Sequence, residues 1–154
     1  MSDEPFENPL SALPATGKLL GLDLGTKTIG VAVSDGMRYS ATPLETIKRT
    51  KFTADAIRLD ELIAQNMAVG IVLGLPLNMD GSEGPRVQST RAFARSLGQR
   101  IDLPIVFWDE RLSTSAVTRM MIEADMRRNK RAEVVDKLAA SYILQGALDR
   151  LRRG

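Results

Sequence analysis

Between residues 18 and 34, apolar positions recur at every second residue. Leu20, Leu22 and Leu24 share one parity; Gly21, Asp23 and Gly25 share the other. Ile29, Val31 and Val33 then alternate with small or polar residues. This period of two predicts strands over 18–24 and 28–34. Gly25-Thr26-Lys27 between them is short enough to close a hairpin. A third strand is expected over 38–47, broken at Pro43, which has no N–H to donate to a ladder. The period then changes. Ile57, Leu59, Leu62 and Ile63 fall at helical spacing and predict a helix over 52–66. Apolar runs at 69–73 and 105–108 read as buried strands, and 85–99 as a helix with Pro85 in its first turn. Ser113 suits the N-cap of a helix to residue 123, residues 126–131 read as a basic loop, and 133–151 as the last helix.

Three successive strands followed by alternating helix and strand predict one α/β domain over 18–154. Its sheet is expected to be mixed and five-stranded, an antiparallel three-strand meander continued by parallel strands, with helices on both faces. Residues 1–17 read as a disordered acidic leader. In such sheets ligands bind at the carboxyl ends of strands.

Asp23 stands out against this pattern. An acid inside an apolar strand is costly unless something pairs with it. Gly21 and Gly25 leave open space beside it on the same face. A carboxylate presented this way suits a metal ion, a phosphate or a positive partner better than a turn cap.

Composition narrows the chemistry. The chain has no cysteine and no histidine, which excludes a thiolate nucleophile, a zinc-type Cys/His site and a Ser-His-Asp triad. Any metal must sit among oxygen ligands, favouring magnesium, manganese or calcium. A base working near neutral pH must be a carboxylate, a lysine or metal-bound hydroxide. No apolar stretch approaches a membrane span, and the start lacks the basic and apolar regions of a signal peptide, so a cytoplasmic protein is expected. With Asp3, Glu4 and Glu7 set aside, 21 basic residues face 16 of the 19 acidic ones. That modest excess is compatible with a polyanionic partner.

Three further acids are candidates for a common site with Asp23. Asp109 and Glu110 follow the strand at 105–108, and alternation allows only one of them to point the way Asp23 does. Asp136 shares a helical stripe with Ala132, Ala139, Ala140 and Ile143, small enough to approach the sheet closely. Converging acids repel unless cations bind. Two magnesium or manganese ions roughly 4 Å apart would neutralise them and clamp the attacking and leaving oxygens of a phosphodiester. Arg127, Arg128, Lys130 and Arg131 precede Asp136 and could hold phosphates. Lys27, Asn78, Arg111 and Ser113 are the other candidates for backbone contact, although Arg111 could instead orient Asp109 or Glu110 through an ion pair.

The residues also resemble a family. Asp23-Leu24-Gly25-Thr26-Lys27-Thr28, Gly74-Leu75-Pro76-Leu77-Asn78, Asp109-Glu110-Arg111-Leu112-Ser113-Thr114 and Val135-Asp136-Lys137-Leu138-Ala139-Ala140 look like the ordered motifs of the YqgF/RuvX proteins. The resemblance runs from about Lys18 to Arg150. It implies an RNase H-like fold and a metal-dependent nuclease with Asp23, Glu110 and Asp136 as catalytic, metal-holding acids. It thereby selects Glu110 over Asp109. Maturation of the 5′ end of the small-subunit ribosomal RNA precursor and Holliday junction resolution have both been ascribed to the family. A nucleic-acid partner is therefore expected, precursor RNA ahead of branched DNA, for a monomer or a homodimer. The competing readings are a nucleotide-binding phosphotransferase, for which one domain is too small, and a non-catalytic RNA-binding adaptor, against which the retained acids argue.

Overall fold

The computed structural model describes residues 9–112 and 128–153, with side chains for all of these except 112 and 128–136. Five strands form one sheet: β1 (Lys18–Leu24), β2 (Thr28–Ser34), β3 (Ala41–Lys48), β4 (Ala68–Leu75) and β5 (Ile105–Asp109), in the order β3-β2-β1-β4-β5. β1 to β3 pair antiparallel, while β4 lies parallel to β1 and β5 parallel to β4. The mixed sheet is the expected one.

Alternation sorts the side chains into two cores. Leu20, Leu22, Ile29, Val31, Ile71, Leu73 and Ile105 face α1 (Phe52–Asn66) and α2 (Pro85–Arg100), packing on Ala56, Leu59, Phe93 and Leu97. Leu19, Ala32, Val72, Val106 and Trp108 face α3 (Arg128–Arg152), packing on Ala140, Ile143, Leu144, Ala147 and Leu148. Among the described residues no helix is long and apolar enough to cross a membrane.

Three boundaries differ from expectation. β3 begins at Ala41, because Asp35 Oδ1 accepts hydrogen bonds from the N–H groups of Tyr39 and Ser40 and Arg38 adopts a left-handed φ of 64°. Pro43 does not break the strand. β3 lies at the sheet edge, and a register shift between Val31 and Ala32 accommodates the missing donor. α3 begins at Arg128, so Arg128, Lys130 and Arg131 belong to its first turns and not to a loop. A charge run without glycine or proline is good helix material. Packing also starts before residue 18. Leu10–Ala12 form a 3-10 turn, and Leu13 is buried among Leu19, Val72 and the end of α3. The helix expected at 113–123 lies outside the described residues.

Candidate active site

β1 carries Asp23 on the face toward α3, two residues beyond Gly21, and the acid is only 3% exposed. Gly21 sets how closely the helix approaches. A Cβ built there would stand 2.7 Å from Leu144 Cβ and 3.0 Å from the Ala140 carbonyl oxygen. Only glycine fits between the strand and the helix backbone.

The neighbouring strand repeats the device. Leu22 lies beside Leu73, so the register carried one step further brings Gly74 next to Asp23. On its other side Gly74 pairs with Trp108 of β5. A Cβ on Gly74 would stand 2.6 Å from Ile143 Cδ1 and 2.8 Å from Glu110 Oε2. Glu110 thus leans over the space that a side chain on β4 would fill. The acids of β1 and of the β5 terminus stand on either side of one glycine.

Asp109 goes elsewhere. Its carboxylate accepts hydrogen bonds from Arg111 Nη2 at 2.7 Å and from the Arg111 backbone N–H at 3.0 Å. The Arg111 guanidinium holds the Asp109 carboxyl below its ordinary pKa, and the pairing raises that of Arg111. Arg111 Nη1 also donates to the Met79 carbonyl at 3.3 Å and lies against Gly81, whose φ is +88°. Asp109 and Arg111 therefore anchor the β4–α2 loop at the edge of the site. This is the ion-pair alternative for Arg111.

That loop contains Asn78, which donates from Nδ2 to Ser82 Oγ at 2.9 Å. Asn78 and Glu110 line one cleft of about 430 Å³ together with Pro76, Pro85 and Arg86. Lys27 is exposed on the β1–β2 turn at the same end of the sheet.

The course of α3 bears on the remaining acid. Near its C-terminus, Gln145 Nε2 and Arg152 Nη1 donate to the Tyr39 carbonyl, at the β2–β3 turn beside the start of β1. Its Ala140 carbonyl lies over Gly21. The helix therefore runs antiparallel to β1. One turn back from Ala140 is a rise of about 6 Å, matching the roughly 6.6 Å from Gly21 to Asp23 along the strand. By that rise, the turn of α3 before Ala140, which includes the backbone of residue 136, runs toward the end of β1 that carries Asp23. The backbones of Arg128, Lys130 and Arg131 lie one to two turns further toward the helix start, while Ser113 and Arg127 lie outside the described residues.

Two arginines at this end escaped the sequence reading. Arg86 Nη2 donates to the Leu24 carbonyl at 3.1 Å, and Arg49 Nη1 to the Gly25 carbonyl at 2.5 Å. Both cap the chain just after Asp23. Arg86 beside the helix-starting Pro85 was a signal of a kind. Arg49, between a strand and a helix, had none.

Donor chemistry decides what the acids could hold. Asp23 and Glu110 offer carboxylate oxygens alone, which suit hard divalent ions such as magnesium or manganese. Among the described residues no group of three or more His, Cys, Asp or Glu gathers as a metal site. The two acids fit such an ion as part of a set that a residue from α3 would complete.

Comparison with known proteins follows the same lines. The description of the RuvX family, Holliday junction resolvase, matches residues 17–150. A protein of Cereibacter sphaeroides named "Putative pre-16S rRNA nuclease" is 67% identical over 151 residues, covering 98% of this chain and 94% of its own. One of Paracoccus denitrificans with the same name is 64% identical, covering 97% and 94%. Among solved structures, Thermus thermophilus RuvC in complex with a Holliday junction substrate superposes with a TM-score of 0.56 at 14% identity, covering 90% of this chain and 96% of that one. At that identity the likeness concerns the fold, and it agrees with the RNase H-like architecture expected from the motifs.

Proposed function

The chain belongs to the RuvX family, and from that premise we propose that it is a nuclease hydrolysing phosphodiester bonds in the precursor of the small-subunit ribosomal RNA. The observation that carries the chemistry is the pair Asp23 and Glu110, standing on either side of Gly74 at the carboxyl ends of β1, β4 and β5. The names of relatives at 64% to 67% identity over nearly the whole chain support the RNA substrate.

Asp23, Glu110 and Asp136 would hold divalent magnesium or manganese, with Asp136 contributed by the turn of α3 before Ala140. When bound, such ions neutralise the acids, polarise the phosphodiester and activate water. The protein's own part is positional. The sheet fixes Asp23, and the Asp109–Arg111 pair leaves Glu110 as the acid turned toward it. Asn78 and Lys27 flank the approach and would orient the substrate backbone, with Arg128, Lys130 and Arg131 as further phosphate contacts at the helix start.

The family description favours a second reading, cleavage of a four-way DNA junction. Symmetric resolution would need two sites and hence a two-fold dimer. The test presents a 5′-extended ribosomal precursor and a four-way junction in parallel, with magnesium or manganese, to the wild type and to Asp23→Asn. Metal-dependent cutting of the precursor that the variant loses is expected. Cutting of the junction alone moves the protein to the second reading, and no cutting of either by folded protein overturns the nuclease.

A further inference from the structure

Just past the end of β1, on the face of the sheet that α1 and α2 cover, lies a hollow of about 470 Å³ that neither Asp23 nor Glu110 lines. Gly25, Thr26, Arg49, Thr50, Arg86 and Ser89 line it. It shares Pro85 and Arg86 with the cleft of Asn78 and Glu110. The two form one path along the carboxyl ends of the strands, with Arg86 at the junction.

Both arginines are held in place from below. Arg49 is fixed on three sides: its Nη1 donates to the Gly25 carbonyl at 2.5 Å, its Nε stands 4.0 Å from Asp55 Oδ2, and its guanidinium lies 5.8 Å over the Phe93 ring. Asp55 is itself 3% exposed and accepts a hydrogen bond from the Thr50 backbone N–H at 3.2 Å. Arg86 is exposed and tied to the Leu24 carbonyl through Nη2. A guanidinium has five donors. Capping one carbonyl uses one of them, and among the described residues the others on Arg86 have no protein partner. Two pre-oriented forks with the exposed hydroxyls of Thr26, Thr50 and Ser89 around them match the oxygens of a phosphodiester.

We propose that this hollow is a second phosphate subsite, in which Arg49 and Arg86 seat a backbone phosphate of the bound strand next to the one held at Asp23 and Glu110. The path past Arg86 makes it a positioning site for the substrate of the proposed nuclease, on which reading its role in cleavage rests. It carries no base specificity, because the polar side chains lining it address phosphate or sugar.

The test is binding of a short single-stranded RNA, and of DNA of the same sequence, by fluorescence anisotropy across a salt series without divalent metal. Each phosphate contact contributes about 0.7 to the slope of log affinity against log salt for a single strand. Arg86→Ala is expected to lower affinity about tenfold for both strands and to flatten the slope by about that one contact. Arg86→Lys keeps the slope and recovers part of the affinity, since a lysine binds phosphate as a point charge. It also serves if Arg86→Ala loses its thermal unfolding transition. Arg100→Gln removes a positive charge at the far end of α2 and should leave the slope unchanged. An equal loss in Arg100→Gln, a loss confined to RNA or to one sequence, an unchanged slope in Arg86→Ala, or no binding by the wild type each overturns the subsite. A wild type that binds but cuts nothing refutes the nuclease and leaves the subsite standing. One that cuts while Arg86→Ala keeps its slope does the reverse.

Discussion

Toward α1 and α2, β1 and β4 present Leu20, Leu22, Ile71 and Leu73, all fully buried. Toward α3 the same two strands present Leu19, Gly21 and Asp23, and Val72 and Gly74. The first face gains its stability from large side chains, roughly 1.5–3 kcal/mol for each one fully buried. The second gives up part of that. Its glycines contribute no apolar side chain, but they bring the α3 backbone close to β1 and leave room for Glu110 over β4. One sheet thus carries a core on each side, and on the α3 side small residues at alternate positions also make room for Asp23 and Glu110.

The contrast can be broken most severely at Asp23. Asp23→Asn should lower metal-dependent cleavage by about 10³-fold or more, a loss of several kcal/mol of transition-state stabilisation. Its thermal midpoint should stay unchanged or rise, because burying an ionised carboxylate is costly. A large fall in midpoint would make Asp23 a structural residue instead. One position away, Leu22→Ala should cost about 2–5 kcal/mol of stability by denaturant unfolding, with catalysis by the folded fraction retained.

Gly21→Ala sharpens the comparison from the other face. Its methyl must displace Leu144 or the helix backbone, so a loss of about 1–3 kcal/mol is expected. Activity should fall with it as α3 shifts away from Asp23. If Gly21→Ala is neutral in both measurements, the close approach of α3 is not what builds the site.

The smallest effect is expected at Asp109. Asp109→Asn removes a partly exposed ion pair worth about 0.2–1 kcal/mol. Arg111 depresses the Asp109 pKa below its ordinary 3.8 in the fold. The contribution of the pair is therefore complete above that pH and fades as the pH falls through the folded value. Unfolding curves of the variant and the wild type should differ at neutral pH and converge in acid.

The sheet was legible because its strands alternate cleanly, and the boundaries that moved did so for local reasons. The turn at Arg38 depends on the Asp35 carboxylate, and the start of α3 on the helix-forming character of a charge run. Asp23 was legible because an acid between two glycines on an apolar strand has few structural uses. The choice between Asp109 and Glu110 was not legible from alternation. The motif resemblance makes that choice, and the end of β5 supports it: Asp109 closes on Arg111, while Glu110 begins a 3-10 turn with its carboxylate near Gly74. Arg49 had no sequence signature and Arg86 only its place beside Pro85, since arginines after a strand and at a helix start are ordinary surface residues until the Leu24 and Gly25 carbonyls orient them.

The order of elements, the hairpin, the mixed sheet, the oxygen-only donor set and the buried acid on β1 were determined by the sequence alone. Each is a local or compositional property that periodicity and residue chemistry express directly. The placing of Asp23 and Glu110 on either side of Gly74, the diversion of Asp109 to Arg111 and the path from Glu110 past Arg86 to Arg49 were decided only by the tertiary structure. They join residues up to 87 positions apart, and distances across a sheet depend on strand order and register, which no single segment encodes.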